Sequence, residues 1–222
     1  EQGIGLFLPV MAYVITLVAA LFIHLFITLP VLLKTLSGLN PVVFMRKMRP
    51  AQLFAFSTAS SNATIPVTYR SVTKRVGVDD SVASFCIPFG ATINMDGTAI
   101  MQGVATVFLA NVYAIDLGLG GYLTVIGMAV LASIGIAGVP GVGLVMLTMV
   151  LTQVGLPIEG IAIILGVDRL MDMIRTAVNI TGDAVVTSVV AKGEGKIDMD
   201  VFADPDAGMI DDDDVDIPAH TA

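Results

Sequence analysis

The chain has 222 residues, of which 55% are hydrophobic and only 14% charged, with a mean hydropathy of +0.88. A soluble domain carries about a quarter charged residues, so too little polar material is present to cover a globular surface. A single cysteine, Cys86, excludes an intramolecular disulfide and a multi-cysteine metal site, and no basic patch interleaved with aromatics points to nucleic acid. The net charge of −8 is uneven: residues 193–222 hold ten acids against Lys196 and account for −9, which leaves the remainder at +1. No Lys or Arg occurs between Arg75 and Arg169. These features predict an all-α integral membrane protein.

The chain opens abruptly at Glu1-Gln2-Gly3, as a fragment would, and enters an apolar stretch at 5–33 long enough to span a bilayer. His24, alone in that stretch, reads as a packing or helix-interface group. Basic residues follow at Lys34, Arg46, Lys47 and Arg49, then at Arg70, Lys74 and Arg75, and finally at Lys192 and Lys196. The positive-inside rule places all three clusters in the cytoplasm and the loop at 116–121 outside. Residues 50–69 are then too few to cross and return, so 41–76 is predicted as a re-entrant hairpin whose polar tip is Ser60-Ser61-Asn62-Ala63-Thr64-Ile65-Pro66. A transmembrane helix over 80–112 is broken at Asn94-Met95-Asp96-Gly97-Thr98. A second re-entrant hairpin over 120–155 is interrupted by Gly138-Val139-Pro140-Gly141-Val142-Gly143. A polar transmembrane helix covers 158–192, and 197–222 reads as a disordered acidic cytoplasmic tail. The order hairpin, broken helix, hairpin, polar helix suggests inverted repeats, and paired interrupted segments mark a transporter's binding region.

Asp168, Asp172, Arg175, Thr176, Asn179 and Asp183 fall within an arc of roughly 100° on one helix, so a single face carries all six. Each charge near the bilayer centre costs about 2.5–3.5 kcal/mol on insertion scales, so that face must look into protein. The blander alternative is an internal salt bridge of Asp172 or Asp168 with Arg175, which leaves Thr176, Asn179 and Asp183 unexplained. As chemistry, the Arg175 guanidinium suits a carboxylate, Asp172 an α-amino group, and Thr176 and Asn179 a polar shell. Asp183 and Asp96 are hard anionic oxygens for alkali cations, and the broken backbone at Gly90–Asn94 exposes carbonyls beside them. The half-helix ends at both hairpin tips would point their dipoles at the solute.

Four segments carry a family resemblance: SSNATIP (60–66), GATINMDGTA (90–99), ASIGIAGVPGVG (132–143) and DRLMDMIRTAVNITGDA (168–184). Over residues 5–196 the chain resembles the dicarboxylate/amino acid:cation symporters, the glutamate and aspartate transporters. The resemblance implies an elevator transport domain of a usually homotrimeric carrier, lacking its N-terminal scaffold half. Its partners would be an acidic amino acid and the lipid bilayer of the plasma (in bacteria, inner) membrane. The solute would touch Ser61, Thr98, Val139, Gly143, Asp172, Arg175, Thr176 and Asn179. Co-transported sodium, with no organic cofactor, would be held by Gly90, Asn94, Asn179 and Asp183. A second site would use carbonyls of Thr92, Ser133, Ile134 and Ile136. A third would use Asn94 and Asp96 with groups from a helix outside this chain. The second hairpin, with its 138–143 loop, looks like the extracellular gate.

Some relatives place an arginine where this chain has Ala59, and Arg169 is the candidate to supply that charge. Proton-coupled relatives carry glutamate at the position of Gln102, so glutamine favours sodium without that proton route. Alternatives are a proton- or sodium-coupled carrier of four-carbon dicarboxylates or of a broader set of amino acids, a passive channel, and an intramembrane aspartyl protease built on Asp96 and Asp172. The protease reading suffers from an arginine beside the dyad, which would spoil a shared proton.

Overall fold

A computed structural model describes residues 2–135 and 137–209. Helix α1 (Gln2–Ile23) runs through a π-helical segment (His24–Thr28) into α2 (Leu29–Ser37). The π segment sits just ahead of Pro30, which lacks an N–H and whose ring would clash with the carbonyl one turn back. Leu17, Leu21, Leu25, Leu29 and Leu33 are all buried, so one stripe packs inward. Phe22, Ile23, Phe26 and Ile27 stay exposed on the other side. Residues Phe7–Ser37 are the one helix among the described residues long and apolar enough by composition to cross a membrane.

Gly38, at φ 73°, ends α2, and Asn40 caps α3 (Pro41–Thr58) by accepting from the Val42 and Val43 amides. The chain then reverses. Ala59 takes a left-handed φ of 51°, and the Ser60 hydroxyl accepts the Ala63 amide to start α4 (Ser61–Arg70). A second π segment, Ser71–Val76, continues α4. Asp79 caps α5 (Asp80–Ile93), and the Ser81 hydroxyl and N–H bonded to it hold its carboxyl below the usual carboxylate range. Only Asn94 and Met95 leave helical geometry before α6 (Asp96–Val112) begins, so the break is narrower than the expected 94–98. Helices α7 (Gly118–Ser133) and α8 (Val142–Gln153) form a second antiparallel pair, with left-handed glycines at Gly135 and Gly141 in the connection.

Helix α9 (Ile161–Gly193) has 33 residues, about 50 Å at 1.5 Å per residue. It packs against α1, α2, α3, α5 and α6 and forms the axis of the bundle. Its polar face turns inward while Leu165, Leu170 and Val186 are exposed. The structure corrects the expectation that everything from 197 onward is disordered. Ile197 bridges Val78, Asp198 caps a further helix α10 (Met199–Ala203), and Phe202 is buried. The acidic run Asp211–Asp214 lies outside the described residues.

Candidate solute and cation site

The six residues of the α9 stripe are all buried, each less than 10% exposed. Arg175, fully buried, donates from Nη1 to Asp168 Oδ1 at 2.9 Å and from Nη2 to Asp172 Oδ1 at 2.8 Å. Both carboxylates therefore grip the one guanidinium, where the sequence left the choice open. The other Asp172 oxygen accepts the Gly141 amide at 2.9 Å, which ties the connection between α7 and α8 to α9. Gly143 faces the same group: a Cβ there would lie 3.5 Å from Arg175 Nη2 and 3.4 Å from the Thr98 methyl. Thr176 turns its hydroxyl onto the Asp172 carbonyl at 2.8 Å. Asn179 links α9 to the start of α6, accepting the Gly97 amide at 2.7 Å and reaching Thr98 Oγ1 at 3.4 Å.

The two helical pairs meet tip to tip. Gly138 O accepts the Ser60 hydroxyl at 2.7 Å and the Asn62 amide at 3.1 Å. A Cβ on Gly138 would come within 2.9 Å of Ser61 Cβ, so only glycine permits this approach. Ser61 is buried at the seam, whereas the Val139 side chain is 45% exposed and leaves backbone as what that residue can offer inward. The open space lies beside this seam. A cavity of about 570 Å³ between α8 and α9 is lined by Pro140, Gly141, Leu144, Asp168, Arg169 and Asp172. Arg169 is exposed on its wall.

Two turns further along α9, Asp183 is 2% exposed and accepts from Asn94 Nδ2 at 3.0 Å. No Lys, Arg or His lies within ion-pair distance of it among the described residues. A buried carboxylate without a cationic side chain calls for a positive charge from elsewhere. Glycines allow the packing around it. A Cβ on Gly90 would fall 2.7 Å from Asp183 Oδ1, and one on Gly182 would fall 3.0 Å from Asp96 Oδ2. Gly90→Ala is therefore expected to displace the Asp183 carboxylate and lower the thermal midpoint, read by thermal unfolding. Thr92 O accepts the Gly135 amide at 2.7 Å, which brings that carbonyl to the end of α7 beside Ser133 and Ile134. Ile136, the fourth carbonyl expected there, lies outside the described residues. Among those residues no cluster of three or more His, Cys, Asp or Glu could hold a metal, so any cation here depends largely on carbonyl and amide oxygens.

Sequence reasoning missed one partner. His24 Nε2 lies 3.0 Å from Asp96 Oδ2 and joins the π segment of the first helix to the break between α5 and α6. A lone imidazole in an apolar stretch was the available signal. Asp96 and Asp172 are held by different groups, Asp96 by His24 and Asp172 by Arg175 and Gly141, which does not make a shared-proton dyad. Gln102 is fully buried.

A bundle with a buried ionic stripe, two helical pairs meeting over it and an apolar exterior is the arrangement of a membrane solute carrier. The chain belongs to the sodium:dicarboxylate symporter family, which it matches over residues 1–193. It is similar to an excitatory amino acid transporter of Caenorhabditis elegans, 45% identical over 178 residues, covering 80% of this chain and 35% of the relative. It is 42% identical to excitatory amino acid transporter 5 of Mus musculus over 179 residues, covering 81% of this chain and 32% of the relative. Identity to excitatory amino acid transporter 1 of Rattus norvegicus is 42% over 178 residues, covering 80% and 33%. The chain thus spans about a third of the length of the curated relatives it matches. The family is one of symporters, and these relatives are transporters, not proteases.

Proposed function

We propose that this chain supplies the solute- and ion-binding part of a symporter that carries an acidic amino acid with sodium. One observation carries the reading: a fully buried arginine flanked by two carboxylates on the face that also bears Asn179 and Asp183. A solute with a side-chain carboxylate and an α-amino group answers both signs, taking Arg175 Nη atoms with its carboxylate and offering its ammonium to Asp172. A four-carbon dicarboxylate has nothing for Asp172, so the amino acid is favoured. In this reading Ser61, Thr98, Val139, Gly143, Thr176 and Asn179 complete the solute shell.

Charge explains the coupling. Asp96, Asp168, Asp172 and Asp183 outnumber the buried guanidinium of Arg175 and the exposed one of Arg169 on the cavity wall, so an anionic solute adds negative charge to a site already rich in it. Monovalent cations bound at Asp183 with Gly90, Asn94 and Asn179, at Thr92 with Ser133, Ile134 and Ile136, and at Asn94 with Asp96 lower that cost. Each such cation makes solute binding more favourable, and by linkage the solute tightens the cation. The two helical pairs act as re-entrant hairpins, the Gly138–Ser60 seam opens at α7–α8, and the unit moves as an elevator within a homotrimer of the plasma membrane. The basic ends of α3, α4 and α9 face the cytoplasm. Uptake of aspartate by proteoliposomes containing the full carrier is expected to stop when choline replaces sodium; undiminished uptake would reject the coupling.

A further inference from the structure

The family match ends at residue 193, yet the chain does not leave the bundle there. Gly195, at φ 66°, turns the end of α9, and residues 196–209 run back across the base of the α3–α4 hairpin. Two backbone hydrogen bonds, which together make the Val78–Ile197 bridge, fasten the start of this segment: Asp79 N–H to Lys196 O at 3.0 Å and Asp198 N–H to Gly77 O at 2.7 Å. The fit is close, since a Cβ on Gly77 would meet Asp198 O at 2.5 Å and one on Gly208 would meet Lys74 O at 2.7 Å. Phe202, on α10, is buried.

The fastening has a charged pin held by backbone carbonyls. Lys47, on α3, is 1% exposed and donates from Nζ to Val201 O at 3.0 Å and to Asp204 O at 2.5 Å. Those carbonyls belong to the C-terminal end of α10, where the helix dipole and unpaired C=O groups favour a cation. No carboxylate lies within ion-pair distance of Lys47 among the described residues. A buried ammonium held only by backbone carbonyls depends on the segment that carries them. If the segment lifts, Lys47 loses both carbonyls and Phe202 loses its burial.

We propose that residues 196–209 are a clasp that holds the base of the α3–α4 hairpin to the ends of α5 and α9, with Lys47 as its pin. The clasp keeps the base of the α3–α4 hairpin fixed, so that the seam at Gly138 opens from the α7–α8 side. It does not depend on which solute is carried. Hydrogen exchange of the full carrier in nanodiscs tests it, in Lys47→Met and, independently, Phe202→Ser. Exchange at the Asp79, Asp198 and Phe202 amides is expected to rise by about tenfold or more in both variants, with α9 amides from 168 to 183 unchanged. Rates within twofold of the parent at all three amides in both variants would overturn the proposal. An equal rise throughout α9 would do the same, because it would mean general unfolding and not release of a clasp.

Discussion

Arg175→Ala is expected to weaken binding of aspartate or glutamate by at least about 30-fold, and to destabilise the protein. Truncating one partner of a buried charge pair costs about 2–5 kcal/mol in binding, and the lower end of that range already gives such a factor. The stability loss has a separate origin. Without the guanidinium, Asp168 and Asp172 stay buried at 5% and 8% exposure with no cation between them. Breaking a buried pair this way costs about 3–5 kcal/mol. Arg175→Lys separates the two effects, because it keeps a charge near both aspartates but loses the planar fork. Its thermal midpoint should stay closer to that of the parent while solute affinity still falls. Calorimetry on the complete carrier checks the binding and thermal unfolding checks the stability. Unchanged aspartate affinity in Arg175→Ala would remove the arginine from the site.

Asp183→Asn should act with the opposite sign on stability. Asp183 is an almost fully buried carboxylate that accepts from Asn94 and, among the described residues, has no basic side chain as partner. An asparagine keeps the shape and an oxygen for the Asn94 amide while removing a charge that is costly to bury. In sodium-free choline buffer the variant is therefore expected to melt no lower than the parent. Sodium should then stabilise it less: a tenfold weaker dissociation constant removes about 1.4 kcal/mol of stabilisation at saturating sodium. Apparent solute affinity in sodium falls with it by linkage. Thermal unfolding across a sodium–choline series reads all of this. A sodium-dependent shift equal to that of the parent would place the cation elsewhere.

The two variants are separable because their residues sit two helical turns apart on α9 and touch different partners. Arg175 faces Gly143 and the α7–α8 connection, while Asp183 faces Gly90 and Asn94. Arg175→Ala should leave the sodium shift of the solute-free protein within about twofold in affinity, and Asp183→Asn should leave the Arg175 ion pairs intact.

The gathering of Asp168, Asp172, Arg175, Thr176, Asn179 and Asp183 on one face was determined by the sequence alone, because 100° per residue is a property of a single helix and needs no partner. The interruption at Asn94-Met95 and the reversals near Ser60 and Gly138 were legible for a similar reason, since caps and glycine-rich turns act within a few residues. What only the tertiary structure decided are the contacts between distant segments. Gly138 meets Ser60 across 78 residues, His24 meets Asp96 across 72, and Lys47 meets Asp204 across 157. None of these follows from a period, because each depends on how helices pack. The acidic composition after residue 196 hid the ordered clasp: charge density argues for a solvated tail, and two buried groups, Phe202 and Lys47, reverse that balance only when their partners are in place.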